Sequence, residues 1–480
     1  MTMIEVDNII NNIDNYNDEE LLKIHNDVYK TLFESYRFIE ADEFVILLIK
    51  KIKDINTKIT LIKRYLMAPI RLYNLFKSIS NLSYDDKKII LKAIFNNKYE
   101  SIKETLDIPS NYKFGLELEY NELSFNALEL LFKSDSINAL MDVLEVDHNI
   151  SNDIINNTVF KYVLDYSKWH MSVEMDDEHL PELSTPILYN NIDDLNKLKA
   201  FYSIMETLKA RVSGWTALQI NVGVDSFKNT EAFKYLFSIW EECEELFYKI
   251  ANKEGTVIRP YASEMARPIK EDIQNSFNED FSFEVNTEDD LYRLLYNIQV
   301  RDDLYLLLKY PFIENEDDFY KYVNAENEEE KYEVFRNLLT YSKKDIMNRI
   351  KCKSINFTHM SPWDKENKGR IEFRLFNNIM DFETIKLNIE LIGKLVYVSN
   401  ELADKNINLL DKYNELLNKD VSEEEKLNLL LDLLFDDSNK KDIFKRRWES
   451  VNDKSLYSRF STGKPTFKVD KNKQLKKTTF

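Results

Sequence analysis

The sequence predicts an α+β fold: a mostly antiparallel sheet with helices on one face, flanked by helical additions at both ends. Three observations carry this. Segments 113–120 (KFGLELEY), 216–224 (TALQINVGV) and 368–376 (KGRIEFRLF) alternate apolar and polar residues with period two, the pattern of strands with one face buried and the other solvated. The residues before and after this region repeat apolar side chains at three and four, the helical rhythm. Only seven glycines stand in 480 residues, where average usage of roughly 7% would supply about 34. Four of them, Gly115, Gly214, Gly223 and Gly369, lie beside the three alternating segments, so they are read as backbone positions a side chain could not occupy.

From Asp18 to Leu106 the chain reads as helix, with one proline, Pro69, and no glycine. Pro109 marks a boundary, because proline disfavours helix at the residue before it. An N-terminal helical domain is therefore expected over 1–109, followed by an α+β domain over 110–400. Between the strands, 192–212 and 229–252 read as helices, and an acidic run over 288–350 has a weaker helical pattern. Beyond Asp381 come FETIKLNIELIGKLVYVSNELADK, LLDKYNELLNK and SEEEKLNLLLDLLFDD, giving C-terminal helices over 401–448. Ser422 with Glu425 three residues on has the form of a capping box. From Lys445 the composition turns basic and aperiodic, and 449–480 is read as an extended tail.

Composition narrows the chemistry. Two cysteines, Cys243 and Cys352, exclude a disulfide framework. The five histidines, His25, His148, His170, His179 and His359, lack the spacing of a zinc site, so any metal would be a hard cation held by oxygen. A net charge of −19 speaks against wholesale binding to nucleic acid or an anionic membrane. The opening MTMIEVDNIINNIDN lacks the basic and apolar regions of a signal peptide, so a cytoplasmic location is expected, or a virion if the chain is a phage component.

Residues i and i+2 of a strand share a face. Glu117 and Glu119 therefore point together, as do Gln219 and Asn221, and Glu372 and Arg374. If those strands are neighbours, carboxylates, amides and a guanidinium crowd one face, and Mg²⁺ or Mn²⁺ is the usual relief of such repulsion. Arg374 would suit a phosphoryl group. The plainer reading is a solvated strand face, since 84 acidic residues in 480 produce acidic-x-acidic pairs by chance. Glu182, between Pro181 and Pro186, is another inward carboxylate or a loop acid. Arg259 and Arg267, in VIRPYASEMARPI, are clamps for phosphate or a substrate carboxylate, or surface arginines.

The order FGLELEY (114–120), W…D…EL-S-P-L (169–188), G-x-x-LxIxVG (214–223), R…RP (259–268), KSINF (353–357) and RIEFRLFNNIMDFETIKLNIEL (370–391) resembles the amidoligase family. These are carboxylate–amine ligases related to glutamine synthetase. The resemblance spans about 110–400. It implies a curved antiparallel trough with helices behind it, ATP and Mg²⁺ as cofactors, and an amide or isopeptide bond formed through an acyl phosphate. A peptide or amino-acid carboxylate and an amine would be the substrates. It also implies Glu117, Glu119, Glu182 and Glu372 as metal ligands and Arg374 beside the transferred phosphate. The family's central strand carries HxH, serving metal and nucleotide phosphate. Here Gln219 and Asn221 stand at those positions, as neutral oxygen donors unable to act as acid or base. The acidic run Asp176-Asp177-Glu178 also replaces the family's glycine. Two readings follow: a divergent ligase, or a former ligase now serving as a structural or interaction protein, for example in a virion or other mobile-element assembly. In the second, a basic-aromatic arm (Arg447, Trp448, Tyr457, Arg459, Phe460, Phe467) would dock on an acidic protein surface.

Overall fold

A computed structural model describes residues 1–65, 82–95, 100–121, 172–175, 181–207, 210–212, 216–254, 266–270, 352–357, 359, 369–405 and 421–451, with 75, 79, 273, 324, 327 and 330 singly. The calls made for 288–350, for Arg259 and for the tail from 452 onward lie outside these residues, apart from 324, 327 and 330. The chain divides into two units. The first comprises 1–105, 120–186 and 191–212, and the second 106–119, 187–190 and 213–480.

Among the described residues of the first unit the predicted helical periodicity is met by α1 (Met3–Asn11), α2 (Asp18–Glu34), α3 (Phe38–Lys51), α4 (Ile55–Tyr65), α5 (Tyr84–Phe95) and α6 (Ile192–Thr207). Capping boxes start α1 at Thr2 with Glu5 and α2 at Asn17 with Glu20, satisfying backbone donors that the first turn leaves open. Val28, Leu32, Phe44, Val45 and Leu48 form the core between α2 and α3. An antiparallel pair, β2 (Ser172–Met175) and β3 (Pro181–Ser184), also belongs to this unit.

Helix α2 ends in a pair of bonds that favours glycine. The Tyr36 amide donates to the Phe33 carbonyl at 3.0 Å and the Arg37 amide to the Leu32 carbonyl at 2.9 Å, a Schellman closure with Tyr36 at the left-handed position. Its φ is 61°, where a Cβ is crowded against the backbone. Tyr36→Gly is expected to raise stability by about 1 kcal/mol, read from urea unfolding.

His25 is buried in the same unit. Its Nδ1 faces the Leu22 carbonyl at 2.7 Å, and its Nε2 receives Arg64 Nη1 at 2.9 Å. Both contacts are satisfied by a neutral ring protonated on Nδ1. Burial, then the Arg64 charge, outweighs the Leu22 bond and lowers the imidazole below its ordinary 6.5. Because the unfolded chain binds that proton more readily, the contribution is complete above about pH 6.5 and lost as pH falls through the folded value. Unfolding midpoints of the parent should fall faster below that pH than those of His25→Gln.

The second unit holds the three expected strands, β1 (Lys113–Glu119), β5 (Ala217–Gly223) and β7 (Arg370–Asn377), with two short ones not foreseen, β4 (Leu188–Tyr189) and β6 (Ile355–Asn356), all antiparallel in the order β4-β1-β5-β7-β6. The helices α7 (Glu231–Ile250), α8 (Phe382–Asp404), α9 (Glu423–Leu434) and α10 (Ser438–Ser450) complete it. Trp240 of α7 meets Phe373 of β7 at 5.6 Å between ring centroids and stacks on Phe247 at 4.6 Å. Burying each such ring contributes roughly 2–3 kcal/mol. The α+β class is thus as predicted, with α7 packed on the apolar face of the sheet.

Solvation of the polar face differs from the expectation. β1 alternates between half-buried and buried residues, but β5 is buried at every position before Gly223 and β7 at every position after Arg370. Their polar side chains are withdrawn from water and pair with one another. Of the marker glycines, Gly369 has φ +50°, while Gly223 has ordinary extended backbone. Gly393, inside α8, has a different role: a Cβ there would stand 2.7 Å from Ile108.

The basic arm begins later than Lys445, because α10 continues to Ser450. Arg447 donates to the Ile250 carbonyl at the end of α7 (3.2 Å) and to Asn388 Oδ1 (2.8 Å). Burial lowers its guanidinium to about 10. Trp448 donates to Glu423, which also accepts Lys249 Nζ at 2.8 Å. These two residues of the proposed arm are therefore spent on the second unit itself. The capping box at Ser422 and Glu425 forms as predicted. No helix among the described residues is long and apolar enough to cross a membrane.

Candidate functional site

The register of four strands assembles the site. Glu117 of β1 stands opposite Gln219 of β5, and Gly115 opposite Asn221. Asn221 stands opposite Glu372 of β7, and Glu372 opposite Asn356 of β6. One polar row thus runs Asn221, Glu372, Asn356, and Glu117 with Gln219 lies one step along it. Between Leu218 and Ile220 the register shifts: Leu218 pairs with Phe376 and Ile220 with Phe373. Gln219 alone therefore faces both Arg374 and Leu375, a β-bulge of the kind that re-aims a side chain beside a site.

Arg374 is the hub. Its Nη1 donates to Gln219 Oε1 at 2.7 Å and to Glu372. Its side chain is only 5% exposed. Asn356 Nδ2 donates to the other Glu372 oxygen at 2.9 Å. Asn221 Nδ2 donates to Glu117 Oε1 at 3.0 Å, and Arg370 Nη2 approaches the same oxygen at 3.4 Å. Glu119 accepts the Ala217 amide at 2.7 Å, and its charge, with those of Glu372 and Glu117, reaches Arg374. Glu117, Glu119, Gln219, Asn221, Glu372 and Arg374 are thus brought together.

Glu182 lies in the first unit, half-buried on β3 with Glu174 as its register partner. The Arg267 amide donates to the Cys352 carbonyl at 3.0 Å, and its side chain reaches the same oxygen at 3.4 Å.

The two facing carboxylates titrate apart. Burial, then the Glu372 charge, raises Glu117 against the opposing pull of Arg370, Arg374 and Asn221. Burial is the largest single influence and would raise Glu372 too, but Arg374, His359, Asn356 and Arg370 together outweigh it and hold the carboxyl below the usual range. Burial would lower Arg374, and Glu372 with the other negative groups around it together more than reverse this. Two carboxyl groups on the strands that flank β5 are thus shifted in opposite directions.

The sequence reading passed over three groups. Asn356, Arg370 and His359 surround Glu372, with His359 Nε2 at 3.8 Å from its carboxylate and 3.4 Å from Arg370. The one available signal was that KSINF leads into the β6–β7 connection. Behind the sheet, Glu244 of α7 is fully buried and accepts Trp240 Nε1 (3.0 Å), the Ile269 and Lys270 amides (2.9 and 2.8 Å) and Ser354 Oγ (2.6 Å). The Ser354 carbonyl in turn accepts the Arg374 amide at 3.0 Å. Glu244 therefore ties α7 to the backbone that sets Arg374.

The donor set limits a metal. Among the described residues no three His, Cys, Asp or Glu side chains form a ligand cluster. Arg374 and Arg370 already answer part of the negative charge. What remains is Glu117, close to Asn221, whose Oδ1 is buried without a hydrogen-bond partner. A carboxylate and an orphaned amide oxygen suit one hard cation.

Comparison of the chain with protein-family models and with curated proteins finds no match.

Proposed function

We propose that this chain is a divergent ATP- and Mg²⁺-dependent carboxylate–amine ligase with a glutamine synthetase-like core. It would form an amide or isopeptide bond on a peptide or amino-acid substrate in the cytoplasm. The observation that carries this reading is the meeting of Glu117 of β1 with Glu372 and Arg374 of β7, beside the orphaned Asn221 oxygen of β5. Glu117 and Asn221 would hold the cation, which when bound neutralises phosphoryl oxygens. Arg374 fixes Glu372 in its ionised form, and Glu117, when ionised, supplies the charged ligand of the cation. No protein nucleophile is required, since positioning and charge neutralisation suffice for phosphoryl transfer.

Calorimetry with Mg²⁺·ATP should give saturable binding that Glu117→Ala abolishes, with ADP release when carboxylate and amine libraries are supplied. Absence of nucleotide binding in the presence of Mg²⁺ would overturn the reading.

One observation favours the second reading, a catalytically degenerate structural or interaction protein of a virion or mobile element. Arg374 is almost completely enclosed and spends its donors on Glu372 and Gln219, as a structural ion pair does. Under that reading Glu117→Ala changes no ligand affinity.

A further inference from the structure

The α2–α3 turn of the first unit exposes large apolar side chains in one place. Tyr36 is 82% exposed, Ile39 75%, and Phe33 and Phe38 are also exposed. The rings form a connected group: Phe38 meets Phe33 edge-on at 4.8 Å and Tyr36 edge-on at 6.0 Å. Phe33 stacks on the buried Tyr29 at 6.1 Å, which anchors the group to the core. Asp7 of α1 pairs with Arg37 at 3.0 Å, which brings Ile4, 75% exposed and one helical turn before Asp7, toward the same region.

Two features distinguish this from scattered surface residues. Tyr36 occupies the left-handed closing position of α2, where glycine or asparagine would be relaxed. A bulky residue held at an unfavourable backbone conformation, with its ring in solvent, is the kind of outlier that marks a functional contact. The patch is also set in acidic surroundings. Residues 34–43 carry Glu34, Glu40, Asp42 and Glu43 against Arg37 alone.

That charge selects the occupant. Two patches meeting face to face would bring like charges together, whereas a cationic segment with aromatic residues satisfies both the rings and the rim. The chain carries such a segment at 452–480, with eight Lys and Arg against two Asp, and with Tyr457, Phe460, Phe467 and Phe480. We propose that the Phe33–Tyr36–Phe38–Ile39 patch is a docking surface for residues 452–480 of a second copy of this chain, so that the protein self-associates head to tail.

Sedimentation equilibrium of the full chain tests this. At low salt the mass should exceed 57.2 kDa and fall toward that value at about 0.5 M salt, where rim charges are screened. Tyr36→Gly should be monomeric while its unfolding midpoint stays at or above that of the parent, so loss of folding cannot explain the loss of association. Removing 452–480 should have the same effect. A monomeric parent at low salt overturns the proposal, as does association that survives either change.

Discussion

Arg374→Leu is expected to lower the unfolding free energy by about 3–5 kcal/mol, because it strands a buried carboxylate. Glu372 is 2% exposed at its side chain and would keep only Asn356 as a described hydrogen-bond donor. The cost lies in the unpaired charge rather than in the attraction lost, so the double variant Arg374→Leu with Glu372→Leu should recover most of it. Urea unfolding of the parent, both single variants and the double variant closes the cycle. A single-variant loss under about 1 kcal/mol would mean that water reaches Glu372 and that the pair is a surface ion pair.

Glu244→Ala has the next largest expected effect, a loss of about 3 kcal/mol or more. The carboxylate gathers donors from Trp240, Ser354 and two successive backbone amides, and each becomes an unsatisfied buried group when it is removed. Burial raises its pKa against the pull of Ser354, Ile269, Trp240 and Lys270. Glu244→Gln does not rescue the site, since an amide turns one acceptor into a donor facing other donors. Because Ser354 also supports the Arg374 amide, Glu244→Gln should reduce the Mg²⁺·ATP binding proposed for the polar row along with stability. Calorimetry run beside thermal melts would read both, and unchanged binding in a destabilised variant would separate Glu244 from the site.

Much of the site was legible because a strand places i and i+2 on one face whatever surrounds it. Glu117 with Glu119, Gln219 with Asn221, and Glu372 with Arg374 needed only the period of the chain. Their adjacency also followed once β5 paired with both β1 and β7. The charge balance was not legible. Glu372-x-Arg374 reads as a solvated pair or as metal chemistry, and only the covered face makes it an enclosed ion pair. His359 and Asn356 reach Glu372 from the β6 side, a neighbourhood that no local spacing encodes. Gly393 was invisible for the same reason, as its constraint comes from Ile108, far away in sequence.

The shift opposite Gln219 has a bearing on how such a strand can change over generations. On either side of it the pairs Ile220–Phe373 and Leu218–Phe376 keep the same apolar face, so the extra residue is accommodated locally. Loss of Leu375 would leave a regular ladder with Phe373 and Phe376 still facing inward and Arg374 directly opposite Gln219. A single-codon deletion at this point would therefore spare both the hydrophobic interior and the polar row, which makes the bulge a place where β7 can change length without exchanging its faces.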